Sequence, residues 1–152
     1  MLEIEKPADM HKHVGQKLGT SDWVTVSQDM INKFADATGD HQWIHVDVER
    51  AKKGMPNGIT IAHGYLTLSL LPMLSDQCYR ITKRSRGINY GSNKVRFTNM
   101  VRVGKRVRMR QKLIGAEPKA GGMQIKNECT IEIEGEERPA CVAETISVLY
   151  GA

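Results

Sequence analysis

Nine residues, LTLSLLPML from Leu66 to Leu74, carry leucine or methionine at positions 66, 68, 70, 71, 73 and 74. On a helix these positions circle the axis instead of marking one stripe, the pattern of a helix enclosed by protein. The run is far shorter than the roughly 20 apolar residues that cross a bilayer, so the rest of the chain has to wrap it. Pro72 removes a backbone donor inside the segment and predicts a bend or an early end there.

The wrapping comes from the second half of the chain, where the periodicity changes to two. Arg106–Leu113 alternates basic with mostly apolar residues, and Met123–Ile133 alternates in the same way, as strands with one wet face do. The intervening GAEPKAGG has the composition of a turn, so the two strands are expected to pair as an antiparallel hairpin. Glu128 and Glu132 would then face Arg106, Arg108 and Arg110 across the outer surface, which reads the basic stripe as a salt-laced face. Ile88–Phe97 and Ala140–Tyr150 are further strands, rich in Val, Ile and aromatic residues. Glu144 falls on the apolar parity of the latter and suggests a bulge or an edge position.

Ahead of the apolar helix, WVTV (23–26) reads as a short strand, and Ser27 is placed to cap a helix over QDMINKFADAT. Met30, Ile31, Phe34 and Ala35 form its buried face, and Gly39 supplies its stop. Asp47 is placed to cap a second short helix. Four or five antiparallel strands after one central helix make an α+β domain in which a curved sheet folds around that helix, the hot dog fold.

The chain's 152 residues fit one domain over 1–152, large enough to fold without a disulfide or a metal staple. Cys78, Cys129 and Cys141 are odd in number and widely spaced, which fits reduced thiols. The N-terminal MLEIEKPADMHKHVG lacks the apolar stretch of a secretion signal, so a cytoplasmic location with no membrane association is expected. The net charge of +5, from 22 basic and 17 acidic residues, points to an anionic partner. Neither an aromatic RNA-binding motif nor zinc-finger spacing accompanies that charge, so no nucleic-acid partner is expected.

The segment TGDHQWIHVD, Thr38 to Asp47, packs two aspartates and two histidines into ten positions. A metal site drawn from Asp40, His41, His45 and Asp47 lacks the spacing of known ligand motifs, and none is expected. A plainer reading makes Gly39-Asp40 a turn and packs His45 against Trp43. The company of the segment favours a third reading. It follows Phe34-Ala35-Asp36-Ala37-Thr38-Gly39-Asp40, contains His45-Val46-Asp47, and precedes Ile61-Ala62-His63-Gly64 at the head of the apolar helix.

In these motifs, and in Asn89-Tyr90-Gly91 and Lys94-Val95-Arg96-Phe97, the sequence resembles the MaoC-like dehydratases, which include the R-specific enoyl-CoA hydratases, and within them the nodulation-protein-N-like branch. The resemblance covers most of residues 19–110. It departs at Gln42-Trp43, where many members carry Asn-Pro. An asparagine there would help to orient the catalytic pair, so Gln42 has to do so by a longer arm or not at all.

The resemblance implies (R)-specific hydration of a trans-2-enoyl-CoA by a homodimer whose sheets join edge to edge. No cofactor is required beyond the coenzyme A thioester that is the substrate. Asp40 and His45 would be the acid/base pair around one water, with Asp40 activating the water and His45 donating to C2, although the sequence does not fix which group moves which proton. An ionised carboxylate and an imidazole poised near neutrality suit that work.

The thioester oxygen would lie at the amide of Gly64, a residue whose missing Cβ allows close approach. His63 has two readings, a side chain hydrogen-bonded in the helix cap or a direct part of the site. Gln42, Trp43 and Tyr90 join it as substrate-binding candidates, with Arg84, Arg86, Lys94 and Arg96 for the coenzyme A phosphates. Asp36 and His41 read as surface polar residues. Two rival functions share the fold: an acyl-CoA thioesterase, and a non-catalytic module that binds acyl-CoA or a lipid signal.

Overall fold

The computed structural model describes residues 1–151. Its elements run β1 (Leu2–Ile4), a 3-10 helix (Pro7–His13), β2 (Lys17–Thr20), β3 (Val24–Thr25), α1 (Gln28–Thr38), α2 (Trp43–Val46), α3 (Val48–Gly54), α4 (Gly64–Ser69), α5 (Leu71–Cys78), β4 (Tyr79–Ile81), β5 (Arg84–Arg96), β6 (Arg106–Lys119), β7 (Gly122–Ile133) and β8 (Cys141–Gly151). The main sheet has the order β2-β6-β7-β8-β5 with β3 also paired to β6, while β1 and β4 form a separate parallel pair. This is the expected antiparallel sheet curved around a central helix. No helix among the described residues is long and apolar enough to cross a membrane.

Local signals set the first helix. The Ser27 hydroxyl accepts from the Met30 amide at 3.2 Å, and Gly39 closes α1 in the left-handed region at φ 84°, its amide donating to the Ala35 carbonyl at 2.8 Å. That conformation is open to glycine at little cost, which is why the chain can turn sharply there into the Asp40 segment. Asp47 caps α3 by accepting from the Arg50 amide at 3.0 Å.

The central helix is broken as Pro72 implies. α4 ends at Ser69 and α5 begins at Leu71, with Pro72 in its first turn, where a missing N–H does least harm. Leu66, Leu70, Leu71 and Leu74 enter the core, but Met73 is 42% and Tyr65 69% exposed. The helix is thus not enclosed by its own chain: the sheet covers one side, and the other lies open.

The sheet departs from expectation in three places. The hairpin turn is only Ala120-Gly121, both with positive φ, and the strands run through most of the GAEPKAGG segment, including the pair Pro118↔Met123. β2 pairs with β6 no further than Lys112, so the missing Pro118 donor interrupts no ladder on that side. On the outer face Glu132 binds Arg108 at 3.0 Å and also Arg110, whereas Arg106 reaches Glu134 instead, and Glu128 stands across from Lys112. In β8 the core face carries Cys141, Ala143 and Leu149, register partners of the buried Ile131, Cys129 and Met123. Val142 and Ile146 therefore lie on the opposite face, half-buried, and Glu144 with them, while Val148 on the same parity is buried. Glu144 sits on an interior strand, and the irregularity lies opposite it, between Ser92 and Lys94 of β5.

Candidate active site

Asp40, His45 and His63 converge at the head of α4, each offering a side-chain atom within 4.8 Å of the others. The plainer expectation that His45 packs on Trp43 does not hold. Its ring stacks on that of His63, with centroids 3.9 Å apart and planes 24° from parallel. Trp43 instead covers Gly54, where a Cβ would come within 2.7 Å of the indole, and carries the Arg50 guanidinium 4.3 Å from its ring centroid.

Main-chain groups lock the imidazole of His45. Nδ1 lies 2.7 Å from the Ile61 carbonyl, which can only accept, so Nδ1 carries the proton and Nε2 of the neutral ring keeps its lone pair. The carbonyl of His45 itself accepts from Gln28 Nε2 at 2.8 Å, while Gln28 Oε1 takes the Thr60 hydroxyl at 2.5 Å. The first turn of α1 thereby fixes the short helix α2 that carries the imidazole.

His45 is 6% exposed. Burial holds its pKa below the ordinary value, and the neighbouring His63 acts in the same direction, against the Ile61 bond and the Asp40 carboxylate. The ring is therefore neutral at neutral pH. Because the unfolded chain takes up this proton at higher pH than the folded one, the stability held by neutral His45 is complete above about pH 6.5 and is lost as pH falls through the folded value. Thermal melts between pH 7.5 and 5 are expected to show this loss, and His45→Gln to make it smaller. Each tenfold difference in proton affinity is worth about 1.4 kcal/mol.

Asp40 is exposed, and its Oδ1 accepts from the Gln42 amide at 3.3 Å. Gln42 thus reaches the carboxylate through its main chain rather than its arm. His63 does not cap its own helix: its Nε2 donates 3.0 Å across to the Asp40 carbonyl. The other two members of the four-residue ligand set are engaged elsewhere, His41 with Asp36 at 3.0 Å and Asp47 as the cap of α3.

A cavity of about 380 Å³ reaches this cluster, walled by His45, Gly64, Thr67, Phe97, Asn99 and Arg138 among others. Gly64 opens α4, so its amide has no acceptor within the helix. A Cβ there would lie 3.1 Å from the Phe97 ring. Gly64 and His45 thus line the same cavity. Trp43, Met55, Leu66 and Leu70 do not line the cavity.

The remaining candidates lie on β5, away from this cluster. Arg84 is 3.9 Å from Asp76, the Arg86 guanidinium is 4.2 Å from the Tyr150 ring centroid, Lys94 stands opposite Glu144, and Arg96 donates to the Val95 carbonyl at 2.8 Å. Tyr90 is 61% exposed, with the Lys119 ammonium 4.2 Å from its ring centroid. Sequence reasoning missed Gln28, Thr60 and Arg138. Nothing local to these residues announces them, because their roles come from contacts more than 16 residues away or from the cavity wall.

The model of the MaoC like domain matches residues 9–136. A protein of Mycobacterium tuberculosis named 3-hydroxyacyl-thioester dehydratase Z is 53% identical over 147 residues, covering 96% of this chain and 97% of its own length. Nodulation protein N of Rhizobium leguminosarum bv. viciae is 46% identical, covering 93% and 89%. Among solved structures, the R-hydratase PhaJ1 of Pseudomonas aeruginosa superposes with a TM-score of 0.78 at 19% identity, covering 97% of this chain and 86% of that one. The (R)-hydratase of A. caviae gives a TM-score of 0.71 at 21% identity, covering 88% and 94%. At such identities the structures speak for the fold alone. With His45, Ile61, Ala62, Gly64 and Phe97 of those motifs lining one cavity and the domain model spanning most of its length, this chain belongs to the MaoC-like domain family.

Proposed function

We propose that the chain is a hydro-lyase that adds water across the double bond of a trans-2-enoyl-CoA to give the (R)-3-hydroxyacyl thioester, and catalyses the reverse dehydration. The observation that carries this reading is the placement of the His45 imidazole, with its Nδ1 committed to Ile61, in the lining of the same cavity as Gly64. The names of the M. tuberculosis relative and of the two R-hydratases support the class of reaction.

The proposed step balances with the groups present. His45 Nε2 takes a proton from water as its oxygen bonds to C3, and the π electrons move to the thioester oxygen. That oxygen lies at the Gly64 amide, a preorganised donor for developing negative charge. The enolate then collapses, and C2 takes the proton back from the imidazolium. Asp40 accepts a hydrogen bond from the water's second O–H, which stays on the product hydroxyl, and its charge favours the imidazolium while it exists.

Crotonyl-CoA tests the reading directly. Loss of enoyl absorbance without thiol release is expected. Thiol release would make the protein a thioesterase, and neither change, with binding retained, would make it a binding module.

We also propose that the working form is a homodimer. β5 pairs only with β8, so one of its edges meets no strand, and such an edge invites pairing with another copy. Ile88 is 52%, Phe97 45% and Tyr65 69% exposed on and near it, and these residues, with the open side of the central helix, form the apolar surface that a second copy would cover. On that reading Arg84, Arg86, Lys94, Arg96 and Tyr90 serve the coenzyme A portion across the pair, together with Arg138 in the cavity wall. Sedimentation equilibrium is expected to give twice the mass of one chain; the mass of a single chain would remove the proposal.

A further inference from the structure

His63 is a costly residue in its position. It is 2% exposed, and its Nδ1 has no hydrogen-bond partner. A buried polar atom left unmatched is destabilising, and an apolar ring would fill the same space without that cost. The ring does not cap α4. It makes two directed contacts, and each runs to one member of the acid/base pair. Its face stacks on His45 at 3.9 Å, with Phe34 packed against it at a centroid distance of 4.9 Å, and its Nε2 donates to the carbonyl of Asp40 at 3.0 Å.

We propose that His63 is a positioning residue for the reaction: its ring sets the plane of His45, and its Nε2–H ties down the turn that carries Asp40. This rests on the hydration reading of the site. Without the ring, the hydrogen bond left to the His45 side chain would be the one to Ile61, which anchors Nδ1 but does not by itself set the plane of the imidazole. Without the donor, the Asp40 turn would keep the 3.3 Å contact from the Gln42 amide and the exposed His41–Asp36 pair, because α1 has already ended at Gly39. Misplacing a catalytic group by about 1 Å can cost on the order of 100-fold in rate, so a residue that touches no substrate can still govern turnover.

Two substitutions separate the contacts. His63→Phe keeps a ring in the stack and removes the donor, and His63→Gln keeps an amide donor and removes the ring. Each is expected to lower kcat for crotonyl-CoA hydration by about tenfold, with KM within about twofold of wild type. In ¹⁵N spectra of the imidazoles, His63→Phe is expected to leave His45 as the single Nδ1-protonated tautomer. His63→Gln is expected to shift its signals towards a mixture.

Values of kcat within twofold of wild type in both variants would overturn the proposal, as would a rise in KM at constant kcat, which marks a substrate contact instead. The spectra are independent of turnover. If the wild type does not hydrate crotonyl-CoA, the reaction assignment fails, and an unchanged His45 spectrum in His63→Gln then decides against positioning as well.

Discussion

His45→Gln is expected to lower kcat for crotonyl-CoA hydration by about two orders of magnitude or more, the scale of a positioned acid/base group. The amide can still occupy the space beside Ile61, but it has no nitrogen lone pair that can take a proton from water. Asp40→Asn is expected to act on the same scale. Its side-chain oxygen can still accept from the Gln42 amide, so the turn is kept while the negative charge beside the imidazole is lost. Both variants should melt cooperatively at neutral pH, since Asp40 is exposed and His45 is neutral there. Steady-state rates at saturating substrate measure the effect. Near-full activity in both variants would remove His45 and Asp40 from the chemistry.

Gly64→Ala is expected to reduce kcat/KM by about ten- to 100-fold while changing stability little. A lost oxyanion donor costs on the order of 100- to 1000-fold, and here the amide remains but its approach is narrowed by a methyl group. The residue has no positive φ to strain, and the atoms nearest the new Cβ belong to the Phe97 ring, 3.1 Å away, which has to give by a few tenths of an ångström. The double variant Gly64→Ala/Phe97→Ala tells crowding from blocked approach. If the methyl blocks the thioester oxygen, deleting the ring leaves activity low. Recovery would show that the displaced Phe97 ring was the cause, and the oxyanion assignment of Gly64 would lose its support.

The Gln28 contacts illustrate where sequence reasoning stops. Ser27 as the cap of α1, Gly39 as its end and Asp47 as the cap of α3 are all legible, because a cap needs only a side chain and an amide three residues on. Gln28 sits beside Ser27 and reads as an ordinary first-turn residue. Its part in holding His45 depends on a carbonyl 17 residues away and a hydroxyl 32 residues away. Ile61 lies inside a legible motif, yet what it contributes is a main-chain oxygen, which no residue type encodes.

The strands divide along the same line. Period two revealed β6 and β7, and residue type revealed β8, but neither says which parity faces the core. In β8 the small residues Cys141 and Ala143 face inward, and the branched Val142 and Ile146 lie half-buried on the opposite face. The all-round apolar helix was legible as well, and its open side is where the proposed second copy would complete the enclosure.

By itself the sequence determined what short-range physics controls: the capped helices, the alternating strands, the broken apolar helix and the residue types available for acid/base chemistry. Only the tertiary structure decided that His45 stacks on His63 instead of Trp43, that Nδ1 is the protonated nitrogen, and that Gly64 lines the same cavity as that ring. The physical reason is distance along the chain. Caps and periodicity act within one or two turns, whereas the site is built from groups 16 to 32 residues apart that meet only when the sheet and the helix pack.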